Sequence, residues 1–112
     1  MNAGAAHDDD DHADLAGLFA DLAGDLDGLE VADVAGGVGY HRGGRIFATL
    51  VASAAEFRLR ADVAQAVLRT PDVSVSPRGH EWVRFAPPAV DRFALDRAEA
   101  WFLSAWRLAG ER

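Results

Sequence analysis

The sequence predicts a two-layer α+β domain, and three observations carry that expectation. Apolar residues recur at helical spacing near both ends of the chain. Between those ends, short apolar runs are punctuated by Gly, Pro and Ser at intervals too short for long helices. The runs follow one another through tight turns, which makes the sheet mostly antiparallel, with the helices laid on one face. The expected order is α-β-β-β-β-α-β-β-α.

Residues 1–11 (MNAGAAHDDDD) are small, polar and self-repelling, and read as a disordered acidic tail ahead of one domain over residues 12–110. A helix is expected from about Asp11 to Asp27, capped by Asp11 or a neighbour. Leu15, Leu18, Phe19, Leu22, Leu26 and Leu29 fall within an arc of roughly 100° on it. Gly17 and Gly24 each weaken it by roughly 1 kcal/mol relative to Ala, unless they allow close approach to the sheet. Val31–Ala35 reads as a strand, Gly36-Gly37-Val38-Gly39 as a turn region and Tyr40–Arg42 as the start of a second strand.

Gly43-Gly44 makes a tight hairpin into a strand over Arg45–Ala52. That strand is apolar on both faces, with Ile46 and Leu50 on one and Phe47 and Val51 on the other, so it belongs in the middle of the sheet. Ser53-Ala54-Ala55 reads as a loose hairpin. Glu56–Arg60 then alternates, Phe57 and Leu59 inward, Glu56, Arg58 and Arg60 outward. A helix over Ala61–Arg69 presents Val63, Ala64, Val67 and Leu68 inward and is stopped by Pro71. Val73–Ser76 and Glu81–Phe85 are strands joined by the turn Pro77-Arg78-Gly79-His80. The last helix spans Val90 to Ala109, with an apolar arc of roughly 160°. Leu103 sits among its charges, and Gly110 closes it.

Composition narrows the chemistry. All 11 basic residues are arginine, so a P-loop and a pyridoxal-phosphate Schiff base, which both need lysine, are excluded. There is no cysteine, which removes disulfides, thiolate nucleophiles, iron–sulfur clusters and cysteine-held zinc. No G-x-S-x-G or H-E-x-x-H occurs: His80-Glu81 is followed by Trp-Val-Arg. No apolar run approaches a membrane span, and the start lacks the basic opening of a signal peptide. The expectation is therefore a soluble, cytoplasmic, non-enzymatic protein without a cofactor or a membrane partner.

The formal net charge of -7 hides a division. Residues 1–39 hold ten acids and no arginine, whereas residues 40–112 hold eight acids and all eleven arginines. A mildly basic body thus carries an acidic extension, a pattern suited to an interaction tail or a self-shielding one.

Four constellations invite a functional reading. His7-Asp8-Asp9-Asp10-Asp11-His12 could hold a divalent cation, against the ordinary reading of a solvated tail. Asp14, Asp21 and Asp25 form an acidic ridge on the first helix, able to take a metal or a basic partner, or simply to face water. The glycines of 36–44 do not fit G-x-G-x-x-G and open no helix, which makes them hairpin glycines rather than a phosphate cradle. The fourth is Arg78, His80, Trp82 and Arg84. On a strand His80, Trp82 and Arg84 share one face, and Arg58 and Arg60 extend it if their strand lies alongside. Such a stripe can stack a ring and contact a phosphate. The competing reading covers Trp82 with a helix and pairs the arginines with Glu56 and Glu81.

Three stretches resemble the MmcQ/YjbR-like family of small bacterial proteins: Gly44-Arg45-Ile46-Phe47-Ala48-Thr49-Leu50, Arg78-Gly79-His80-Glu81-Trp82-Val83 and Ala105-Trp106-Arg107-Leu108, in that order over roughly residues 38–109. The resemblance implies an α+β domain with a curved antiparallel sheet. It also implies a DNA-binding label that rests on fold, with Arg78, Gly79, His80 and Trp82 on the family's motif. The first third departs from the family, having Gly28-Leu29-Glu30 without a proline. Small actinobacterial domains labelled luciferase-like share the outline. The arginine- and alanine-rich composition suits a high-GC bacterium.

The expected role is a binding or interaction module that uses Arg78, His80, Trp82, Arg84, Arg58 and Arg60. Two alternatives stand beside it. One is nucleic-acid binding by the basic body, held off by the acidic tail; the other is divalent-metal binding on the first helix. A homodimer through the last helix is a further expectation, prompted by Leu103, Trp101 and Trp106.

Overall fold

The computed structural model describes residues 14–111. The elements run α1 (Leu15–Asp25), β1 (Leu29–Val34), β2 (Gly37–Arg42), β3 (Arg45–Val51), β4 (Ala54–Arg58), α2 (Ala61–Val67), β5 (Val73–Ser76), β6 (Gly79–Phe85) and α3 (Arg92–Ala109). This is the expected α+β order. The six strands form one antiparallel sheet in the order β1-β2-β3-β4-β6-β5. The expected tail at residues 1–11 and the His7–His12 segment lie outside the described residues.

Two aspartates start the long helices. Asp14 accepts the Gly17 N–H at 2.7 Å and Asp91 accepts the Ala94 N–H at 2.9 Å. Each satisfies a backbone donor that the helix leaves free. The first helix therefore begins at Leu15, with Asp14 rather than Asp11 as its cap.

The core lies between the helices and one face of the sheet. On α3 the buried stripe is Ala94, Ala98, Phe102, Ala105 and Ala109. Four alanines let the helix approach the sheet closely, and Phe102 fills the space between them. Its ring centroid lies 4.7 Å from Phe19, 5.2 Å from Tyr40 and 5.2 Å from Phe47. Trp101 sits edge-on to Phe85 at 5.1 Å. Aromatic contacts of this kind add to the burial of apolar area, which supplies the main driving force. Burial also pushes the Tyr40 hydroxyl pKa up.

Three expectations are corrected in the sheet. Gly37-Val38-Gly39 is not a turn but the first half of β2; the turn is Ala35-Gly36 alone. Glycines carry no side chain, so they hide the period of two that marks a strand. Ala54 and Ala55 likewise belong to β4, and the hairpin is the two-residue turn Ala52-Ser53. Finally, Phe47 does not share a face with Val51, nor does Ile46 share one with Leu50. Tyr40 opposes Ala48 whereas His41 opposes Ile46, so Phe47 is an extra residue bulged out of β3. The bulge turns Phe47 toward α3, on the same side as Ala48 and Leu50.

The other sheet face carries no helix among the described residues. Strand alternation and register place Glu30, Ala32 and Val34, then His41 and Ile46, then Thr49, Glu56, Arg58, Ser74, Trp82 and Arg84 on it.

Candidate functional site

Arg58, Arg78, His80, Trp82 and Arg84 gather on the helix-free face, and Arg60 does not. Trp82 stands opposite Arg58 and Arg84 opposite Glu56 in the β4–β6 register, and Ser74 of β5 flanks Arg84 on the other side. Val83 and Phe85, which alternate with them along β6, are fully buried on the helix face. His80 is exposed near the start of β6. Arg60 does not extend the stripe as expected: β4 ends at Arg58, and Arg60 is the exposed N-cap residue of α2, lining a hollow with Val63 of α2 and Ser104 and Leu108 of α3 on the helix side.

The hairpin joining β5 to β6 is what shapes this face. Val75 opposes Val83, but the next residue, Ser76, opposes Gly79. His80, Glu81 and Trp82 therefore have no partner on β5, and the tip Ser76-Pro77-Arg78-Gly79 is folded back over the sheet. Glu56 holds it there. Its Oε2 accepts the Ser76 hydroxyl at 2.6 Å, and its Oε1 accepts both the Arg78 Nε–H at 2.9 Å and the Thr49 hydroxyl at 3.0 Å. Ser76 Oγ in turn accepts the Arg78 backbone N–H at 3.1 Å. The Ser76 hydroxyl thus ties the hairpin tip to β4.

Only 14% of the Glu56 side chain is exposed. Burial alone pushes its carboxyl pKa up. The hydrogen bonds from Ser76, Arg78 and Thr49, with the charge of Arg78, outweigh that and hold it below its ordinary value. Charge-assisted bonds to a carboxylate are the strong kind, so Glu56 fastens the hairpin tip to β3 and β4 at once.

Trp82 is on the expected face but not open. It is 9% exposed, outside the main core cluster, and the Arg78 guanidinium lies over its ring at 5.2 Å. No helix covers it; a side chain four positions back does. Arg58 donates to Glu81 at 3.0 Å. Of the six expected contact residues, Arg58 and Arg78 are paired with carboxylates and Trp82 is covered. Arg84, His80 and Arg60 are exposed and make no ion pair among the described residues. A shallow hollow lined by Val51, Ala54, Glu56 and Arg84 opens beside Arg84.

Sequence reading missed a second arginine site. Arg42 of β2 stacks its guanidinium 3.7 Å from the Trp106 ring centroid and donates to the Trp106 carbonyl at 3.0 Å, while Arg45 donates to the Glu111 carbonyl at 2.6 Å. Both arginines cap the carbonyl end of α3, where cations complement the helix dipole. They line a hollow with Asp27, Gly28 and Gly110. The contacts span 64 and 66 residues of chain, so no local pattern could have exposed them.

The acidic ridge resolves differently along its length. Asp14 is the α1 cap, and among the described residues no group of three or more His, Asp or Glu side chains is arranged to hold a metal ion. No helix among them is long and apolar enough to cross a membrane. No protein-family model, curated protein or solved structure matches the chain.

Proposed function

We propose that the protein is a non-enzymatic binding module whose contact surface is the helix-free face of the sheet around Arg84, and that its partner is anionic. The observation that carries this reading is the state of Arg84. It is an exposed guanidinium on a sheet face without helices, and Glu56, its neighbour across the strand, already accepts three hydrogen bonds, one of them from the Arg78 guanidinium. Its five N–H groups are free to meet a carboxylate or phosphate in the planar, two-pronged manner that arginine favours. His80 lies further along the same face of β6. Ring stacking on Trp82 is not the first contact in this reading, because Arg78 lies over the indole.

The chain's division of charge supports an anionic partner at this end. β1, at one edge of the sheet, carries Glu30 and Asp33 and no arginine, while Arg58, Arg78 and Arg84 lie on β4, the β5–β6 turn and β6 toward the other. This is the setting in which the MmcQ/YjbR-like resemblance and a nucleic-acid partner would meet. Fluorescence anisotropy at low salt should use a short single-stranded DNA, a short duplex and a glutamate-rich peptide as probes. At least one should bind, its affinity should fall steeply with salt, and Arg84→Glu should abolish the signal. No binding of any of the three would overturn the reading.

A further inference from the structure

The two edges of the sheet are built differently. β1 carries Glu30 and Asp33, and charged side chains are a common guard against strand pairing with another molecule. β5 is Val73-Ser74-Val75-Ser76, with no charge at all, and its Val75 is 71% exposed. Asp72 accepts the Ala86 N–H at 3.0 Å as a directly opposed pair. In an antiparallel ladder, hydrogen-bonding direction alternates along the strand. Ser74 therefore points its backbone groups at β6, while Val73 and Val75 point theirs away from the sheet.

We propose that β5 is a self-pairing edge, and that two copies of the chain join β5 to β5 across a two-fold axis into one continuous antiparallel sheet. The register follows from the residues. With the axis at Ser74, Val73 of each copy lies opposite Val75 of the other, and these are the residues whose backbone groups face outward. Centring on Val75 instead would set Val73 against Pro77, which has no N–H to give. Val73 and Val75 both lie on the helix face, opposite Phe85 and Val83, so the pairing gathers four valines into one apolar row. The Val75 N–H of each copy gains the Val73 carbonyl of the other, while the Val73 N–H stays with the Thr70 carbonyl at 3.3 Å.

Charge selects the same edge. The acidic β1 lies five strands away, roughly 24 Å at the spacing of paired strands. Joining β5 to β5 keeps the acidic ends of two negatively charged copies far apart; joining β1 to β1 would press Glu30 against Asp33. Such a contact uses the same patch on both copies and closes as a dimer, not a fibre. Pro71 and Pro77 bracket the pairing segment.

Because the chain has no cysteine, Ser74→Cys introduces a single thiol. In the proposed register the two Ser74 residues form a non-hydrogen-bonded pair with Cα atoms about 4.5 Å apart, inside the disulfide range. Mild oxidation should convert Ser74→Cys almost wholly to a covalent dimer, while Ser53→Cys, in the exposed β3–β4 turn, should stay largely reduced. Sedimentation of the full chain should show a dimer that Val75→Lys shifts to monomer without loss of circular dichroism and that Val31→Lys leaves intact. A wild-type chain that stays monomeric up to high micromolar concentration would overturn the proposal. So would a dimer that survives Val75→Lys with Ser74→Cys uncrosslinked, since the contact would then lie elsewhere, for instance on α3.

Discussion

Glu56 and Arg78, 22 positions apart in sequence, meet at 2.9 Å over the open face of the sheet. That single pair determines how the β5–β6 hairpin sits. It brings the Arg78 guanidinium over Trp82, and with Ser76 and Thr49 it engages the carboxylate that faces Arg84 across the strand pair. Removing the carboxylate should therefore loosen the hairpin before it disturbs the core. Glu56→Gln is expected to cost about 1–3 kcal/mol in chemical denaturation. Hydrogen exchange should speed up at residues 76–82 and remain slow at Phe57 and Phe102.

The same group sets an acid limit. The hydrogen bonds from Ser76, Arg78 and Thr49, with the charge of Arg78, hold the Glu56 carboxyl below its ordinary value in the folded state. A lowered carboxyl stabilises the fold at pH values above its unfolded pKa, and that contribution disappears as pH falls through the folded value. Stability measured against urea should therefore decline below about pH 4.5. Glu56→Gln should flatten part of that decline while lowering stability at neutral pH.

Arg42 and Gly110 form a second coupled pair. Gly110 has an ordinary helical φ of -84°, so nothing in its backbone requires glycine. A Cβ there would instead collide with the Arg42 guanidinium and displace it from Trp106. Gly110→Ala should destabilise the wild type by roughly 1–2 kcal/mol, the scale of a stacked, hydrogen-bonded cation. In an Arg42→Ala background the same change should be neutral or slightly stabilising. A double-mutant cycle with denaturant midpoints reads the coupling directly.

Glycines elsewhere should diverge just as sharply. A Cβ at Gly37 would strike the Leu50 carbonyl oxygen and lie 2.9 Å from the Val51 Cα, both of them backbone that cannot swing aside. Gly37→Ala is expected to cost more than about 3 kcal/mol or to prevent folding. A Cβ at Gly24, inside α1, meets nothing within 4 Å. Gly24→Ala should raise stability by about 0.5–1 kcal/mol, visible as a higher melting temperature. Gly24 therefore does not provide a close approach of helix to sheet.

Much of the architecture could be read from local pattern. The alternation at Glu56-Phe57-Arg58-Leu59 placed Phe57 and Leu59 in the core, where both are fully buried. Gly43-Gly44, with φ of 59° and 79°, makes the tight turn that two adjacent glycines announce. Legibility failed where one residue changes the count or where partners are distant. The Phe47 bulge inverts a face without altering composition. The candidate site was half legible for the same reason. Alternation put His80, Trp82 and Arg84 on one side of the strand, but the fold-back of Arg78 onto Trp82 depends on Glu56, a residue from another hairpin.

The most direct test of the proposed contact face is a residue-resolved NMR titration of the full chain with the anionic probe that binds in the anisotropy screen. Chemical-shift changes should concentrate at Arg84, Ser74 and His80 and along the outward side of β4 and β6, and should vanish in Arg84→Glu. Changes centred on α3 or on the Arg42–Arg45 hollow, with β6 unmoved, would contradict it.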